Sequence, residues 1–269
     1  MPPKERLLIE WFERYTARYR DAVDLLPAAL ELKYRHSRRV AENARLIALG
    51  LKLDESEIQL AEICGLVHDI GRFPQYSRYG TFRDADTLDH GLAGRKTLES
   101  EGVPSLLDED EWARVSCAVE YHNRKTDDLP ADLPENARQL LNIIRDADKL
   151  DIMDLVLHSV ARDGFRELPG MLPHIRLSRE LTPSVVEEFQ KHRSISTSHL
   201  ETVADFLLML AFWFYDFNFF SSRQIAVSRD LIGRLQKELP ETPFIRELFA
   251  GIRKMTNSEG MEISLPDLK

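Results

Sequence analysis

Apolar side chains recur along most of the chain at the three- and four-residue spacing of an amphipathic helix. One such stripe consists of Ala29, Leu32, His36, Val40 and Ile47. Helix-start signals agree with this period: Asp54 precedes an apolar run and Glu57 follows three residues later, as in a capping box. No convincing run alternates apolar and polar residues with period two. The pattern therefore predicts an all-α fold.

The helical periods, together with the residues that start and end helices, divide the chain into a series of predicted helices. They cover residues 4–24, 28–49, 55–70, 87–100, 108–123, 134–159, 183–191, 198–220, 223–239 and 243–255, with an irregular tail from Thr256. The stretch 71–86 is rich in glycine, proline and charged residues, which predicts a loop. The stretch 163–183 is interrupted by prolines and predicts a boundary between two parts of the chain. The first part, residues 1–162, is predicted to be a helical core that includes the N-terminal helix. A C-terminal helical extension that packs on this core is expected at 163–269.

Composition and charge narrow the class of protein. A hydrophobic content of 43% with 30% charged residues is typical of a globular protein, and the net charge of −9 argues against a DNA or RNA coat. The chain has two cysteines, and their spacing is neither that of a metal site nor that of a disulfide framework. The N-terminus lacks the features of a signal peptide. Together these observations predict a cytoplasmic location. The apolar run at 206–215 is too short for a bilayer, which needs about 20 residues. The run is predicted to be a core helix rather than a dimer interface, although a homodimer stays open.

A small set of histidines and aspartates occupies otherwise apolar helical positions. Its members are His36, the pair His68-Asp69, His90, His122 and Asp148. Leaving such a group buried and unsatisfied costs about 1–3 kcal/mol, so each needs a partner. A lone histidine on an apolar stripe is more often a hydrogen-bonded core residue, and Asp148 could pair with Arg145. Taken together, imidazoles and carboxylates favour Fe, Mn, Co, Ni or Zn, and the set is large enough for two ions.

The order of these residues resembles that of the HD-domain metal-dependent phosphohydrolase superfamily. The family pattern of a His, a His-Asp pair and a distant Asp is matched by His36, His68-Asp69 and Asp148. The segments His-Asp-Ile-Gly-Arg at 68–72 and Arg-Asp-Ala-Asp-Lys-Leu-Asp at 145–151 are also similar to the family. The resemblance covers about residues 30–155, and His90 and His122 are the additions usual in members with two metals. It implies an HD-domain helical bundle, here with additional C-terminal helices.

The resemblance also implies roles for the matched residues. Asp69 would bridge two ions, with His36, His68 and Asp148 on one and His90 and His122 on the other. A water activated by the metal would then cleave a nucleotide or another small phosphate ester. Arg72 follows the His-Asp pair closely enough to reach the same opening, where an arginine suits a phosphate. The catalytic residues would be Asp69 and Arg72, and the candidate substrate-binding residues are Arg72, Arg83, Arg124 and Lys149.

Two other functions fit the same residues. A minority of proteins that resemble this fold use four histidines and two aspartates to hold two irons and oxidise a small polar substrate with oxygen. A metal-stabilised helical module that senses a nucleotide without catalysis is the third interpretation. The chain departs from the cyclic-dinucleotide branch of the family, because Asn123 follows His122 and no Gly-Tyr-Pro segment is present.

Overall fold

The computed structural model describes residues 4–163, 175–192 and 195–256, and these residues are predominantly helical. Within them no β-strand occurs, apart from an isolated bridge between Arg176 and Thr202. The predicted all-α fold is therefore confirmed. The helices are α1 (Lys4–Ala17), α2 (Ala28–Gly50), α3 (Glu55–Val67), α4 (Arg72–Tyr79), α5 (His90–Ser100), α6 (Glu109–Tyr121), α7 (Glu135–Asp163), α8 (Pro183–His192), α9 (Val203–Phe212), α10 (Phe220–Ser228), α11 (Leu231–Glu238) and α12 (Pro243–Thr256).

The residues up to Asp151 form one compact unit. Its central helix is α3, which packs on α1, α2 and α6, while α5 packs on α6. The side chains of α3 are mostly buried, as expected for a helix that is apolar nearly all round. The backbones of α2 and α3 approach closely at Gly65, where a Cβ atom would lie 2.8 Å from the Cα of Ala41. The Asp54 side chain starts α3 by accepting a hydrogen bond from the Glu57 amide.

The residues from Ile152 onward form a second compact unit. Its core contains α9, whose start is fixed by a capping box between Thr202 and Asp205. Most side chains of the run 206–215 are buried in this unit, which confirms the predicted core position. The division between the units falls inside α7, after Asp151, whereas the sequence places it at 162/163. That predicted boundary stays a prediction, and residues 164–174 of the predicted break lie outside the described residues.

Several predicted elements differ from the structure; the helix predicted at 4–24, for example, ends at Ala17 as α1. The predicted loop at 71–86 contains α4, because Pro74 lies in the first helical turn, where a missing N–H is tolerated. The predicted helix at 198–220 is shorter, with α9 ending at Phe212. The predicted helix at 223–239 is divided into α10 and α11, since Asp230 adopts a left-handed conformation with φ of 51°. None of the described helices combines the length and hydropathy that a bilayer crossing requires.

Candidate metal centre

His36 lies on α2 and meets two carboxylates of α7. Its Nδ1 is 2.7 Å from Asp151 Oδ2, and its Nε2 is 3.1 Å from Asp148 Oδ1. Asp148 and Asp151 are three residues apart on a helix, which places them on one face. The helix α7 therefore presents one carboxylate to each ring nitrogen of His36.

His68 and Asp69 directly follow α3. The Nδ1–H of His68 donates to the carbonyl oxygen of Gly65 at 2.7 Å, which leaves Nε2 as the nitrogen with a free lone pair. That Nε2 is 3.9 Å from an oxygen of Asp69 and equally far from an oxygen of Asp148. The local end of α3 thus orients the His68 ring towards both carboxylates.

His90 begins α5 and His122 follows α6, and their Nε2 atoms are 3.1 Å apart. The Nδ1–H of His122 donates to the Val119 carbonyl at 2.8 Å, and Nδ1 of His90 lies 2.5 Å from Asp84 Oδ2. The two helices approach closely at Gly91, where a Cβ atom would lie 2.5 Å from the carbonyl oxygen of Glu120. Both Nδ1 atoms are engaged, and both Nε2 atoms face Asp69.

The carboxylate of Asp69 lies between two pairs of histidines. Its Oδ2 is 3.6 Å from Nε2 of His36 and 3.9 Å from Nε2 of His68. Its Oδ1 is 3.4 Å from Nε2 of His90 and 3.7 Å from Nε2 of His122. Each oxygen of one carboxylate therefore faces a different pair of imidazoles, which is the arrangement that a bridging ligand of two ions requires.

These donors fit a divalent transition metal. The Nε2 atom of His68 is buried and has no hydrogen-bond partner among the described residues, although such a group costs about 1–3 kcal/mol unless something satisfies it. A cation among the neighbouring carboxylates would do so. Ligand atoms lie within 4.8 Å of one another in three trios that together contain all six predicted ligands: His36, His68 and Asp69; His68, His122 and Asp148; and Asp69, His90 and His122.

Comparison with protein-family models matches residues 34–153 to the HD domain. This segment is an HD domain. HD domains characterise a superfamily of metal-dependent hydrolases and bind divalent metals, and all six predicted ligands lie inside the matched segment. No curated protein and no solved structure matched the chain.

The pKa of three predicted histidine ligands in this HD domain is shifted by burial and by neighbouring charges. Burial lowers the pKa of His68 to about 3 and that of His90 to about 4, so both rings are neutral, as metal ligands must be. Burial and the Lys33 charge also act to lower the pKa of His36, but its two aspartate partners outweigh them and raise it to about 9. Burial opposes the negative charge on Asp69, yet the Lys33 charge, the strongest opposing influence, holds the pKa of Asp69 well below its usual range.

Residues around the ligands hold the histidines in place. Asp151 binds Nδ1 of His36 and is itself held by Arg39, whose Nη2 donates to Asp151 Oδ2 at 3.0 Å. Asp84 binds Nδ1 of His90 in the same way. Asp151 was not recognised as a functional candidate from the sequence. Its position three residues after Asp148, on the same face of a helix, is the signal that would have identified it.

The predicted substrate-binding residues differ in their exposure and in their ion pairs. Arg72 is adjacent to Asp69, with its Nε 3.4 Å from Asp69 Oδ1. Arg83 is exposed and pairs with Asp86 at 3.1 Å, and Arg124 is exposed and pairs with Asp89. Lys149 follows Asp148 on α7 and is half-buried. An ion pair therefore joins Arg72 to a predicted ligand, whereas the ion pairs of Arg83 and Arg124 are with Asp86 and Asp89.

One cation beside the predicted ligands was not identified from the sequence. Lys33 lies one turn before His36 on α2, and its Nζ donates to Asp69 Oδ2 at 2.7 Å. Only 11% of its side chain is exposed. A lysine in a polar stretch of a helix resembles a surface residue, although its three-residue spacing from His36 places both on one face.

Proposed function

We propose that this protein is a metal-dependent phosphohydrolase that cleaves a nucleotide or another small phosphate ester. The observation that carries the proposal is the position of Asp69, whose two oxygens face two different pairs of histidines. A carboxylate in that position supports binding of two ions. Ions held there would lower the pKa of a water molecule and polarise a phosphoryl oxygen.

The residues that border Asp69 support an anionic substrate. The Nη1 group of Arg72 donates to Asp84 Oδ1 at 2.8 Å and to the Phe82 carbonyl at 2.6 Å, which anchors the guanidinium. Its Nε is buried and makes no hydrogen bond within the described residues. An anchored guanidinium beside a predicted ligand suits a phosphoryl oxygen, since it gives up little side-chain freedom on binding.

An aromatic surface beside the cations supports the nucleotide among the candidate substrates. The rings of Tyr76 and Phe82 lie 5.0 Å apart between centroids. The Arg72 guanidinium lies 5.8 Å from the centre of the Phe82 ring. A nucleobase stacks on such rings, and stacking contributes about 1–3 kcal/mol per base.

The test is hydrolysis by purified protein loaded in turn with Mn, Fe, Co, Ni and Zn, against nucleoside phosphates and simple phosphomonoesters and phosphodiesters. We expect phosphate release that Asp69→Asn reduces at least about 100-fold in kcat/KM, because the shared carboxylate loses its charge. Asp86→Asn is the matched control, since Asp86 is an exposed aspartate that pairs with Arg83.

Three outcomes would contradict the proposal. Absence of hydrolysis across all five metals and the whole panel would reject the phosphohydrolase. Oxygen consumption by the iron-loaded protein, without release of phosphate, would favour the di-iron oxygenase instead. Tight nucleotide binding without turnover would favour the sensor.

A further inference from the structure

The ammonium group of Lys33 has capacity for a ligand beyond its partner Asp69. An ammonium carries three N–H donors, and Asp69 Oδ2 is the acceptor that the structure records for Lys33 among the described residues. The Lys33 side chain is 11% exposed, so its charge is held beside the centre rather than spread into solvent. Two donors remain for another oxygen-bearing group.

Lys33 and Arg72 flank the same carboxylate from two sides. Nζ of Lys33 binds Oδ2 of Asp69, whereas Nε of Arg72 is 3.4 Å from Oδ1. Both cations also lie against one aromatic ring, with Lys33 Nζ 5.7 Å and the Arg72 guanidinium carbon 5.8 Å from the centre of Phe82. The two positive charges thus border one aromatic side chain next to the predicted ligands.

The neighbours of the two cations differ in how much charge they compensate. Arg72 is paired with Asp84 as well as Asp69, whereas the recorded ion pair of Lys33 is with Asp69. Divalent ions held by Asp69 would take up the negative charge of that carboxylate, and their own charge must be counted in the site. Lys33 would then be the less compensated cation of the two, and an anionic ligand would restore the balance.

We propose that Lys33 binds an anionic oxygen of the substrate phosphate, as a second cation opposite Arg72. The inference rests on the proposed phosphohydrolase function and adds a substrate-binding residue to it. A lysine ammonium suits this role because it acts as a compact point charge towards phosphate.

The experiment titrates inorganic phosphate into the Mn-loaded full-length protein by calorimetry and measures KM and kcat for a cleaved ester. We expect Lys33→Met to weaken phosphate binding and raise KM about tenfold or more, since it removes a charged hydrogen bond. The content of bound Mn and the far-ultraviolet circular dichroism should equal those of the wild type. Lys33→Arg should recover most of the phosphate affinity, because it retains the charge.

Lys96→Met is the matched control, because Lys96 is an exposed lysine on α5. Its phosphate affinity and KM should equal those of the wild type. The proposal is overturned if Lys33→Met binds phosphate as tightly as the wild type, if it loses the bound Mn, or if the wild type itself binds no phosphate. Failure of the wild type to cleave any ester would reject the phosphohydrolase, whereas the phosphate titration would still decide the role of Lys33.

Discussion

At the scale of single residues, each predicted histidine ligand is oriented through its Nδ1 atom. The partners are backbone carbonyl oxygens for His68 and His122, and carboxylates for His36 and His90. A fixed Nδ1 leaves Nε2 as the donor atom and holds the ring in one direction. A chain that lost one of these partners would keep the ligand but lose its orientation.

Replacing Asp151 tests this orientation. We expect Asp151→Asn to weaken metal binding about tenfold, because the neutral amide holds the His36 ring less firmly and no longer pairs fully with Arg39. Competition with a chromophoric chelator measures the metal dissociation constant. Asp154→Asn is the control on the same helix, since Asp154 pairs with Arg234 at 2.6 Å. Equal dissociation constants for Asp151→Asn and the wild type would show that Asp151 does not orient His36.

Residue types and spacing predicted part of the centre. The six candidate ligands were chosen from the sequence because each interrupts an apolar helical setting, and the structure brings their donor atoms together. Lys33 and Asp151 were missed, because a charged residue on a helix has the same local pattern whether it faces solvent or a buried partner. Their partners lie 36 and 115 residues away along the chain.

At the scale of elements, the junction between α3 and α4 positions the centre against α5. Gln75 of α4 is buried, and its Nε2 donates to Asp84 Oδ1 at 2.9 Å and to Thr87 Oγ1 at 2.8 Å. These bonds join α4 to the segment before α5. At Gly71, which precedes α4, a Cβ atom would collide with the carbonyl oxygen of His90 and lie 2.6 Å from the amide nitrogen of Gly94.

A methyl group at Gly71 should therefore separate these elements. We expect Gly71→Ala to lower the free energy of unfolding by about 1–3 kcal/mol, because its Cβ meets backbone atoms that have no rotamer to change. Urea denaturation followed by circular dichroism measures the loss. Gly94→Ala is the comparison, since its Cβ would meet the side-chain Cγ1 of Val119 at 3.0 Å. A loss for Gly94→Ala as large as that for Gly71→Ala would argue against a special close approach at Gly71.

At the scale of the whole molecule, we expect metal binding and folding to be coupled. The six predicted ligands come from well-separated parts of the first 151 residues, so a set of donors close to one another exists only in the folded unit. A ligand that binds only the folded state stabilises it by mass action. Some metal-binding nitrogen atoms, such as Nε2 of His68, are buried with no hydrogen-bond partner in the part of the chain that the structure describes, and this adds to the dependence.

Removal and return of the metal test the coupling. We expect a chelator to lower Tm and added Mn to restore it, with a gain of about 2.7 kcal/mol when free metal is 100 times its dissociation constant. His68→Ala should remove most of this response. His199→Ala is the control, because His199 is exposed and pairs with Glu188 at 2.8 Å. A metal-dependent Tm that His68→Ala leaves unchanged would place the stabilising ion elsewhere.

The sequence by itself determined the helical class, most of the helices and the candidate ligands, because helical period, caps and interrupted apolar stripes are local properties of the chain. Only the tertiary structure decided that each oxygen of Asp69 faces a different pair of histidines, that Lys33 binds the same carboxylate and that Asp151 holds His36. It also decided that Gly71 marks a close approach of two helices. These features depend on which helices, distant in sequence, pack together and on how each helix is rotated about its own axis. Such long-range contacts arise from the packing of the whole unit, and the spacing of neighbouring residues shows at most which of them share a helix face.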